Sequence, residues 1–378
     1  MERKILVTST DLMMIQFLAP HISNLAEHGY KVDVACSDTG GYACAIEKIL
    51  NGTAGKVHIV SLVRSPLSLR NIKGYRELRK IISENRYDII WTNEPVMGAA
   101  VRLAARKVKK TGCRIVYMVH GFHFYTGAPK INWILFYPAE RLLARFTDYI
   151  ITLNQEDYVR ARRFPVRDVF YIHGIGADTA RLQKEKVSQN IRRKLEIPEN
   201  AFLVLSVGEL NGNKNHRTVI EALSMLKDRD IYYVICGSGK CLLSLQLLAK
   251  KYHLESNVRF VSYRRDVINF YNQADLFILP SHREGLPVVL LEAMYCGVPA
   301  VASDIRGVRD VMKNGVTGIL CGPDDSRAFA AAIQRLKSNA VLRAEYGRNS
   351  KKAVKPYMLS EIKNAVIHIL ANIGDIEK

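Results

Sequence analysis

The chain has 378 residues, of which 48% are hydrophobic and 24% are charged. This length is too great for one ordinary hydrophobic core and suits two domains, and the composition excludes a disordered or low-complexity protein. The N-terminal apolar run, residues 5–7, is too short for a secretory signal, and no stretch approaches the ~20 apolar residues of a membrane span. Seven cysteines without a Cys-x-x-Cys pair fit reduced thiols. We therefore expect a cytoplasmic protein.

The formal net charge of +19 is unevenly distributed. Residues 56–114 contain 14 Lys and Arg against four Asp and Glu. Such a basic region favours a polyanionic partner, whether nucleic acid, an anionic lipid surface or a phosphorylated acceptor. A solvated helix face is the alternative explanation, and the sequence leaves both open.

Short β-branched runs alternate with longer amphipathic patterns along the whole chain. In the first part, strands are predicted at 4–8, 31–35, 56–60, 89–91, 114–119, 149–153 and 169–172, and helices at 16–28 and 75–84. In the second part, strands are predicted at 202–207, 232–236, 258–260, 276–279, 300–302 and 318–320, and helices at 216–227 and 329–338. The alternation predicts the α/β class, with two doubly wound, Rossmann-like domains of parallel strands covered by helices.

The domain boundary is predicted near residues 173–176, where a strand ends in a glycine-containing turn. The second domain then covers 175–354 and opens with a polar helix over 180–195. Residues 355–373 carry apolar positions at helical spacing, but periodicity alone does not say where this segment packs. Ligands of open α/β sheets bind at the carboxyl ends of the strands, so we expect the site in a cleft between two facing domains.

Polar residues follow two of the predicted strands in a way that suggests chemistry. His120 comes directly after the strand at 114–119 and precedes a glycine and several aromatic residues. Gly208 follows the strand at 202–207 and opens a loop bearing Lys214, whose charge would neutralise a diphosphate. A lone His is usually structural and a loop Lys is often merely solvated, so neither residue decides the function alone.

The strongest local signal is the passage from the strand at 276–279 through a loop into a helix. Gly285 lets the backbone approach a ligand closely, Pro287 suits the first helical position, and Gly297 ends the helix. Unpaired N–H groups and the helix dipole favour an anion at such an N-terminus, so a diphosphate is expected there.

Two carboxylates flank this expected phosphate position. Glu284 precedes the helix, and Glu292 lies about two turns later. Carboxylates accept hydrogen bonds well from vicinal hydroxyls, so one would hold the transferred sugar and the other the ribose. The alternative makes Glu284 a charge partner of the helix dipole and Glu292 an exposed helix residue.

These motifs resemble those of family 4 glycosyltransferases, which have the GT-B fold. Glu284 to Glu292 resembles the family's E-x7-E motif, and Gly208 to Lys214 resembles its Gly-Arg-Leu-x-x-x-Lys loop. The segment 115–160 looks like the bacterial capsule and exopolysaccharide branch. The resemblance covers nearly the whole chain. It implies retaining, metal-independent transfer and a final helix that crosses back to the N-terminal domain, which would comprise 1–174 plus 355–378 and bind the acceptor.

The resemblance also implies a role for each candidate residue of the second domain. Glu284 would contact the donor sugar, while Gly285, Leu286 and Pro287 would lie against the sugar and its phosphates. Glu292 would hold the ribose.

The remaining candidates would surround the diphosphate. Lys214 would bind it, with Gly208 beside the lysine, and His120 would contact the sugar or help the phosphate to leave. The family often has Arg where this chain has Glu209, so one phosphate cation is missing. Arg264, or else Arg265 or Arg283, would have to replace it. In the first domain, residues 8–11 (Thr-Ser-Thr-Asp) stand where the family often has a Gly-rich loop.

Other patterns carry no function in this interpretation. Residues 228–230 match D-x-D but lie in a predicted turn. Residues 237–240 lack P-loop spacing because Cys241 follows, and the alternative left for them is a backbone turn that lines the cleft. No carboxylate or Cys cluster joins His120 and His123 to complete a metal site, so no metal and no cofactor are expected.

Residues 131–136 (Ile-Asn-Trp-Ile-Leu-Phe) are apolar and are followed by Arg141 and Arg145. They form either an interfacial surface helix or a helix buried in the first domain. With the basic region at 56–114, the first alternative supports a peripheral location on the inner face of the bacterial cell membrane.

The sequence thus predicts a hexosyl- or N-acetylhexosaminyltransferase for capsule, exopolysaccharide or other surface glycan synthesis. Its donor is expected to be a UDP-sugar such as UDP-N-acetylhexosamine, and its acceptor a polyprenyl-diphosphate-linked sugar. One rival is a UDP-sugar epimerase of the same fold, for which the sequence shows no base at the sugar's second carbon. The other is a basic nucleic-acid-binding protein, for which it shows no recognisable module.

Overall fold

The structure is a computed structural model that describes residues 3–10, 12–37, 55–178, 182 and 190–375. The chain divides into two compact units. The N-terminal unit comprises Met1–Ile175 with Ser360–Lys378, and the C-terminal unit comprises Gly176–Leu359. The sequence placed these boundaries at 174/175 and 354/355.

The N-terminal unit is built on seven parallel strands in the order β3-β2-β1-β4-β5-β6-β7. The strands are β1 (Lys4–Ser9), β2 (Lys31–Cys36), β3 (Val57–Ile59), β4 (Ile89–Asn93), β5 (Arg114–Val119), β6 (Tyr149–Thr152) and β7 (Asp168–Tyr171). The helices between them are α1 (Leu12–Glu27), α2 (Arg70–Glu84), α3 (Pro95–Ala104), α4 (Lys130–Leu143) and α5 (Gln155–Ala161).

Alternate residues of β1, inside this sheet, are buried on opposite faces. Ile5 and Val7 of β1 pack in one cluster with Leu18 of α1, whereas Leu6 packs in another with Leu78 of α2. This is the two-residue period of a strand. Both faces are apolar because helices cover both, as in other parallel sheets.

The C-terminal unit has six parallel strands in the order β10-β9-β8-β11-β12-β13. The strands are β8 (Phe202–Val207), β9 (Ile231–Cys236), β10 (Val258–Val261), β11 (Leu276–Leu279), β12 (Ala300–Ser303) and β13 (Gly318–Cys321). The helices are α6 (Ile191–Lys194), α7 (His216–Leu226), α8 (Leu242–Lys251), α9 (Ile268–Tyr271), α10 (Val288–Cys296), α11 (Val308–Val311), α12 (Ser326–Ser338) and α13 (Ala340–Ala353). Leu205 packs with Leu291 of α10 on one face, and Val204 packs with Ile220 of α7 on the other.

The last helix, α14 (Leu359–Asp375), belongs to the N-terminal unit beyond its first residue. Its buried Ile362, Val366 and Leu370 join the core cluster of α1. The Arg3 guanidinium also donates a hydrogen bond to the Ala371 carbonyl at 3.1 Å. The return of the chain to its first domain, which the family resemblance implied, is therefore confirmed.

Every strand predicted from the sequence is present, with small shifts at its ends. The helix predicted over 180–195 lies largely outside the described residues; of those that are described, Leu182 and Ile191–Lys194 are helical. None of the helices in the described part of the chain has the length and apolar character needed to cross a bilayer.

Candidate active site

The loop after β8 rests against the loop after β9. The Gly208 N–H donates to the Cys236 carbonyl at 2.9 Å. Gly237 has to be glycine, because a Cβ at that position would lie 1.8 Å from the Gly208 carbonyl oxygen. The segment that lacks P-loop spacing therefore serves as the backing of the Gly208–Lys214 loop.

The loop after β11 is joined to this first loop by backbone contacts. The His282 N–H donates to the Asn213 carbonyl at 2.8 Å, and the Asn213 side-chain amide donates to the Arg283 carbonyl at 3.0 Å. On the other side Gly307, at φ +58°, approaches Gly285 so closely that a Cβ would lie 2.2 Å from the Gly285 carbonyl oxygen. The two motifs, distant in sequence, are thus locked together by their own backbones.

Lys214 and Glu284, one from each loop, form an ion pair. The lysine Nζ lies 2.7 Å from Oε1 of the carboxylate. Their side chains are only 20% and 12% exposed, so the pair is partly withdrawn from water. Both groups lie in loops that follow the carboxyl ends of strands. There the ammonium can bind an anion while the carboxylate accepts a hydrogen bond from a neighbouring hydroxyl.

Helix α10 begins at Val288, so Pro287 is the N-cap residue and not, as predicted, the first helical residue. The reason is that the Pro287 backbone is extended, with φ −80° and ψ 100°. Pro287 provides no side-chain cap, and the Leu290 N–H already donates to the Pro287 carbonyl at 3.0 Å, so Val288 and Val289 carry the N–H groups expected to face an anion. Leu286 packs against the core, and Gly297, at φ 76°, ends the helix as predicted.

Glu292 is buried, so it is not the exposed helix residue of the alternative interpretation. The Tyr271 hydroxyl donates to its Oε2 at 2.9 Å. Burial and the neighbouring carboxylate raise the pKa of Tyr271 well above its usual value, so this hydroxyl stays protonated and keeps donating. The hydrogen bond from Tyr271 therefore fixes the orientation of the Glu292 carboxylate.

The three arginines considered as replacements for the missing phosphate cation differ in their exposure and in their partners. Glu209 is exposed on its loop. Arg264, in the loop after β10, makes a bidentate contact with Asp266 at 2.8 and 2.6 Å. Arg265 and Arg283 are exposed. Within the described residues, no hydrogen bond or ion pair joins any of these arginine side chains to Lys214 or Glu284.

The D-x-D match at residues 228–230 has a structural explanation. The Asp228 carboxylate accepts a hydrogen bond from the Asp230 N–H and pairs with Lys337 of α12. It thus ties the turn before β9 to a neighbouring helix. Across the described residues, no three His, Cys, Asp or Glu side chains are grouped as a metal site would require.

His120 follows β5 in the N-terminal unit and is half-buried. Its Nε2 lies 3.0 Å from Oδ1 of Asn93, and the Asn93 amide donates to the Thr8 carbonyl at 3.1 Å. Asn93 Oδ1 is therefore the acceptor, which puts a proton on His120 Nε2 and a lone pair on Nδ1. Burial lowers the pKa of His120 to about 4, so the ring is neutral at pH 7.

Sequence reasoning missed three residues that position these candidates: Asn93, Tyr271 and Gly307. A signal existed for Asn93, a polar residue at the carboxyl end of an apolar strand. Tyr271 offered none, because it reaches Glu292 from a different helix, α9.

Comparisons with known proteins converge on one class. A family model described as Glycosyltransferase Family 4 matches residues 21–181, and one described as Glycosyl transferases group 1 matches residues 187–353. The putative glycosyltransferase EpsD of Bacillus subtilis (strain 168) is 35% identical over 93% of this chain and 92% of its own length. The UDP-Gal:alpha-D-GlcNAc-diphosphoundecaprenol alpha-1,3-galactosyltransferase of Escherichia coli is 25% identical over 92% of both chains.

The fold is likewise found among solved structures. The crystal structure of Anabaena HepE in complex with UDP and glucose has a TM-score of 0.80, covering 98% of this chain and 100% of HepE. At 20% sequence identity, this likeness concerns the fold alone.

Proposed function

The chain belongs to glycosyltransferase family 4 and has the GT-B fold, and on that premise we propose that it is a retaining, metal-independent hexosyl- or N-acetylhexosaminyltransferase. The proposed donor is a UDP-sugar, and the proposed acceptor is a sugar carried on polyprenyl diphosphate. The product is part of a capsule, exopolysaccharide or other surface glycan. The observation that carries this proposal is the Lys214–Glu284 pair, held between two interlocked loops at the N-terminus of α10.

Lys214 is assigned to the diphosphate of the donor. An ammonium has three N–H donors, and one of them is used by Glu284 at 2.7 Å. The others remain for phosphate oxygens, together with the N–H groups at the start of α10. Positive charge placed beforehand at the leaving group stabilises the charge that develops as the sugar–phosphate bond breaks.

Glu284 and Glu292 are assigned to hydroxyl groups. Glu284 pairs with Lys214 and so suits the hydroxyls of the transferred sugar next to the diphosphate. Glu292, oriented by Tyr271, suits the two hydroxyls of a ribose. Neither acts as a general acid or base in this proposal, since that chemistry needs carboxyl groups on opposite sides of the scissile bond.

His120 is assigned to a substrate hydroxyl. Of the two roles that the sequence left open, the neutral ring favours contact with the sugar over protonation of the leaving phosphate. With Nε2 donating to Asn93, the Nδ1 lone pair is the atom that would accept a hydrogen bond.

The relatives support the choice of substrates. HepE was solved with UDP and glucose, and the E. coli relative acts on a sugar linked to diphosphoundecaprenol. The basic region at 56–114 supports attraction to anionic lipids. Exposed Ile131, Ile134 and Leu135 on α4 support contact with the interface, so we place the enzyme peripherally on the inner face of the bacterial cell membrane.

The test is a panel of nucleotide sugars offered to the purified protein with a polyprenyl-diphosphate-linked sugar. We expect transfer from a UDP-sugar with retention of the anomeric configuration, read by nuclear magnetic resonance of the product. EDTA should leave the rate unchanged, and loss of activity restored by Mn²⁺ would overturn the metal-free mechanism. Release of UDP with an epimerised free sugar would favour the epimerase. Salt-dependent binding of DNA or RNA without nucleotide-sugar binding would favour the alternative of a basic nucleic-acid-binding protein.

A further inference from the structure

An apolar groove on the N-terminal unit has no part in the donor chemistry described above. Its volume is about 910 Å³, at the upper end of the range for ligand sites. It lies among the segment before α2 and the helices α2, α3 and α4. The residues that form its apolar walls include Leu69, Ile72, Val96, Leu103, Leu135 and Phe136.

Several of the groove's large apolar side chains are open to water. Leu67 is 93% exposed, Leu69 is 81% exposed and Leu135 is 57% exposed. Apolar side chains grouped in this way mark a surface that binds something. The groove therefore favours an apolar ligand.

One end of the groove is polar and lies at the carboxyl edge of the sheet. Arg64 is the one Lys or Arg among the described residues that line the groove. Its guanidinium is 3.5 Å from Glu94 Oε1, while Glu94 Oε2 accepts from the Ser9 hydroxyl and the Thr10 N–H, each at 2.7 Å. The Arg64 side chain remains 63% exposed, so it is accessible to an anion.

Glu94 adds a second observation at this end. It has φ 64° and ψ 154°, a backbone region occupied almost only by glycine. Such a conformation is strained and is retained chiefly at functional sites. The strain supports a binding role for the Arg64–Glu94 end of the groove.

Beyond the other end of the groove, the helices α3 and α4 lead into a basic surface. Leu103 at the end of α3 is followed by Arg106 and Lys107, and Leu143 at the end of α4 is followed by Arg145. These cations share a second pocket of about 650 Å³. The residues that line it are Arg106, Lys107, Lys109, Lys110, Arg145 and Phe146.

We propose that the groove holds the hydrocarbon chain of the lipid acceptor, an inference that rests on the proposed function and deepens it. The hydrocarbon chain lies along the apolar walls of the groove, and Arg64 contacts the phosphate group at the end of that hydrocarbon chain. The basic pocket faces the anionic headgroups of the bilayer from which the lipid comes. A partner protein's helix would also fill apolar walls, but the cations at both ends match a phosphorylated lipid in an anionic bilayer.

The first experiment measures binding of a fluorescent polyprenyl diphosphate to the full-length protein. Ala99→Phe narrows the groove, and Leu135→Glu places a charge on its wall. Each should weaken binding by about tenfold or more. The control is Leu247→Glu, because Leu247 on α8 is 59% exposed, close to the exposure of Leu135, and does not line the groove. It should change binding by less than about twofold.

The second experiment compares acceptors with a long isoprenoid chain and with a short alkyl chain. The wild type should have the lower KM for the long chain, and the groove variants should lose that advantage while keeping kcat with the short chain. Equal KM values in the wild type, or equal losses in Leu247→Glu and Leu135→Glu, would overturn the proposal.

The two experiments separate this inference from the function on which it rests. If neither acceptor is glycosylated, the proposed function fails, while the binding assay still decides the groove. Thermal unfolding shows whether Ala99→Phe is folded; Leu135→Glu, at a half-exposed position, provides the test if it is not. If both groove variants bind the lipid as tightly as the wild type does, the assignment is contradicted. A protein partner is then the remaining candidate for the groove.

Discussion

The two units present different surfaces at comparable places, the carboxyl edges of their parallel sheets. In the C-terminal unit the edge is polar, and short backbone contacts lock the Gly208–Lys214 loop to the loop that carries Glu284. In the N-terminal unit the neutral His120, held by Asn93, and the Arg64–Glu94 ion pair lie at an edge that also leads into the apolar groove. The first edge is polar throughout, whereas the second joins polar groups to a large apolar surface.

The difference reflects how each kind of ligand is bound. A diphosphate is bound by N–H groups and a cation, and a loop with the helix that follows it supplies these from a few consecutive residues. A hydrocarbon chain needs area, and Leu69, Leu103 and Leu135 contribute it from three separate parts of the chain. The proposed donor recognition is therefore concentrated in short motifs, whereas the proposed acceptor recognition is spread over several helices.

The largest expected effect tests the charged edge. Lys214→Ala removes the cation assigned to the leaving diphosphate, so kcat should fall by roughly 10²–10³-fold. Binding of free UDP, measured by calorimetry, should weaken as well. Lys250→Ala is the control, since this lysine is exposed on α8 and should leave both quantities unchanged.

A second variant separates the two functions that Lys214 can have. Glu284→Gln removes the ion pair but keeps the lysine, so UDP affinity should persist while transfer is slowed. If Lys214 only holds Glu284 in place, both variants will lose the same activity and both will keep normal UDP affinity. That result would remove Lys214 from the diphosphate site.

The sequence predicted the polar edge well because its signals are local. A buried strand followed by glycine, proline and a helix is visible within a dozen residues around Gly285. The predicted start of α10 was wrong by one residue. Whether Pro287 is the N-cap or the first helical residue depends on its own ψ, which is 100°. Boundaries of this kind are decided by the fold around them.

Contacts between distant segments were beyond the reach of sequence patterns. Gly307 is required by the carbonyl of Gly285, and Tyr271 orients Glu292, but no spacing in the sequence connects either pair. The groove is a further example, since Leu103 and Leu135 become neighbours only after helices pack on the sheet. In the segment 131–136 the structure shows a helix that is only partly covered. Ile131 and Ile134 are exposed, while Trp133 packs on the buried Phe124.

A substitution with an intermediate expected effect tests the ribose role of Glu292 and the support that this carboxylate receives from Tyr271. Glu292→Gln keeps the shape of the side chain and can still accept from Tyr271, but it loses the charge that favours two ribose hydroxyls. The donor should bind about tenfold more weakly, with kcat little changed. Tyr271→Phe, which removes only the supporting hydroxyl, should raise the donor KM by a smaller factor. Unchanged donor affinity in Glu292→Gln would exclude the ribose assignment.

The smallest expected effect concerns the N-terminal edge and appears only as a function of pH. The pKa of His120 is lowered to about 4, so its active neutral form prevails throughout the range from about pH 6 to 8, and this residue should leave kcat/KM flat there. Asn93→Asp puts a carboxylate beside the ring, which favours the charged form and raises the pKa of His120 by about 1–3 units. Because protonation removes the acceptor at Nδ1, kcat/KM of this variant should fall as the pH is lowered from about 8 to 6. Asn93→Ser, with a neutral acceptor, should be slower but keep the flat profile. Superimposable profiles for Asn93→Asp and the wild type would show that the protonation state of His120 does not matter to transfer.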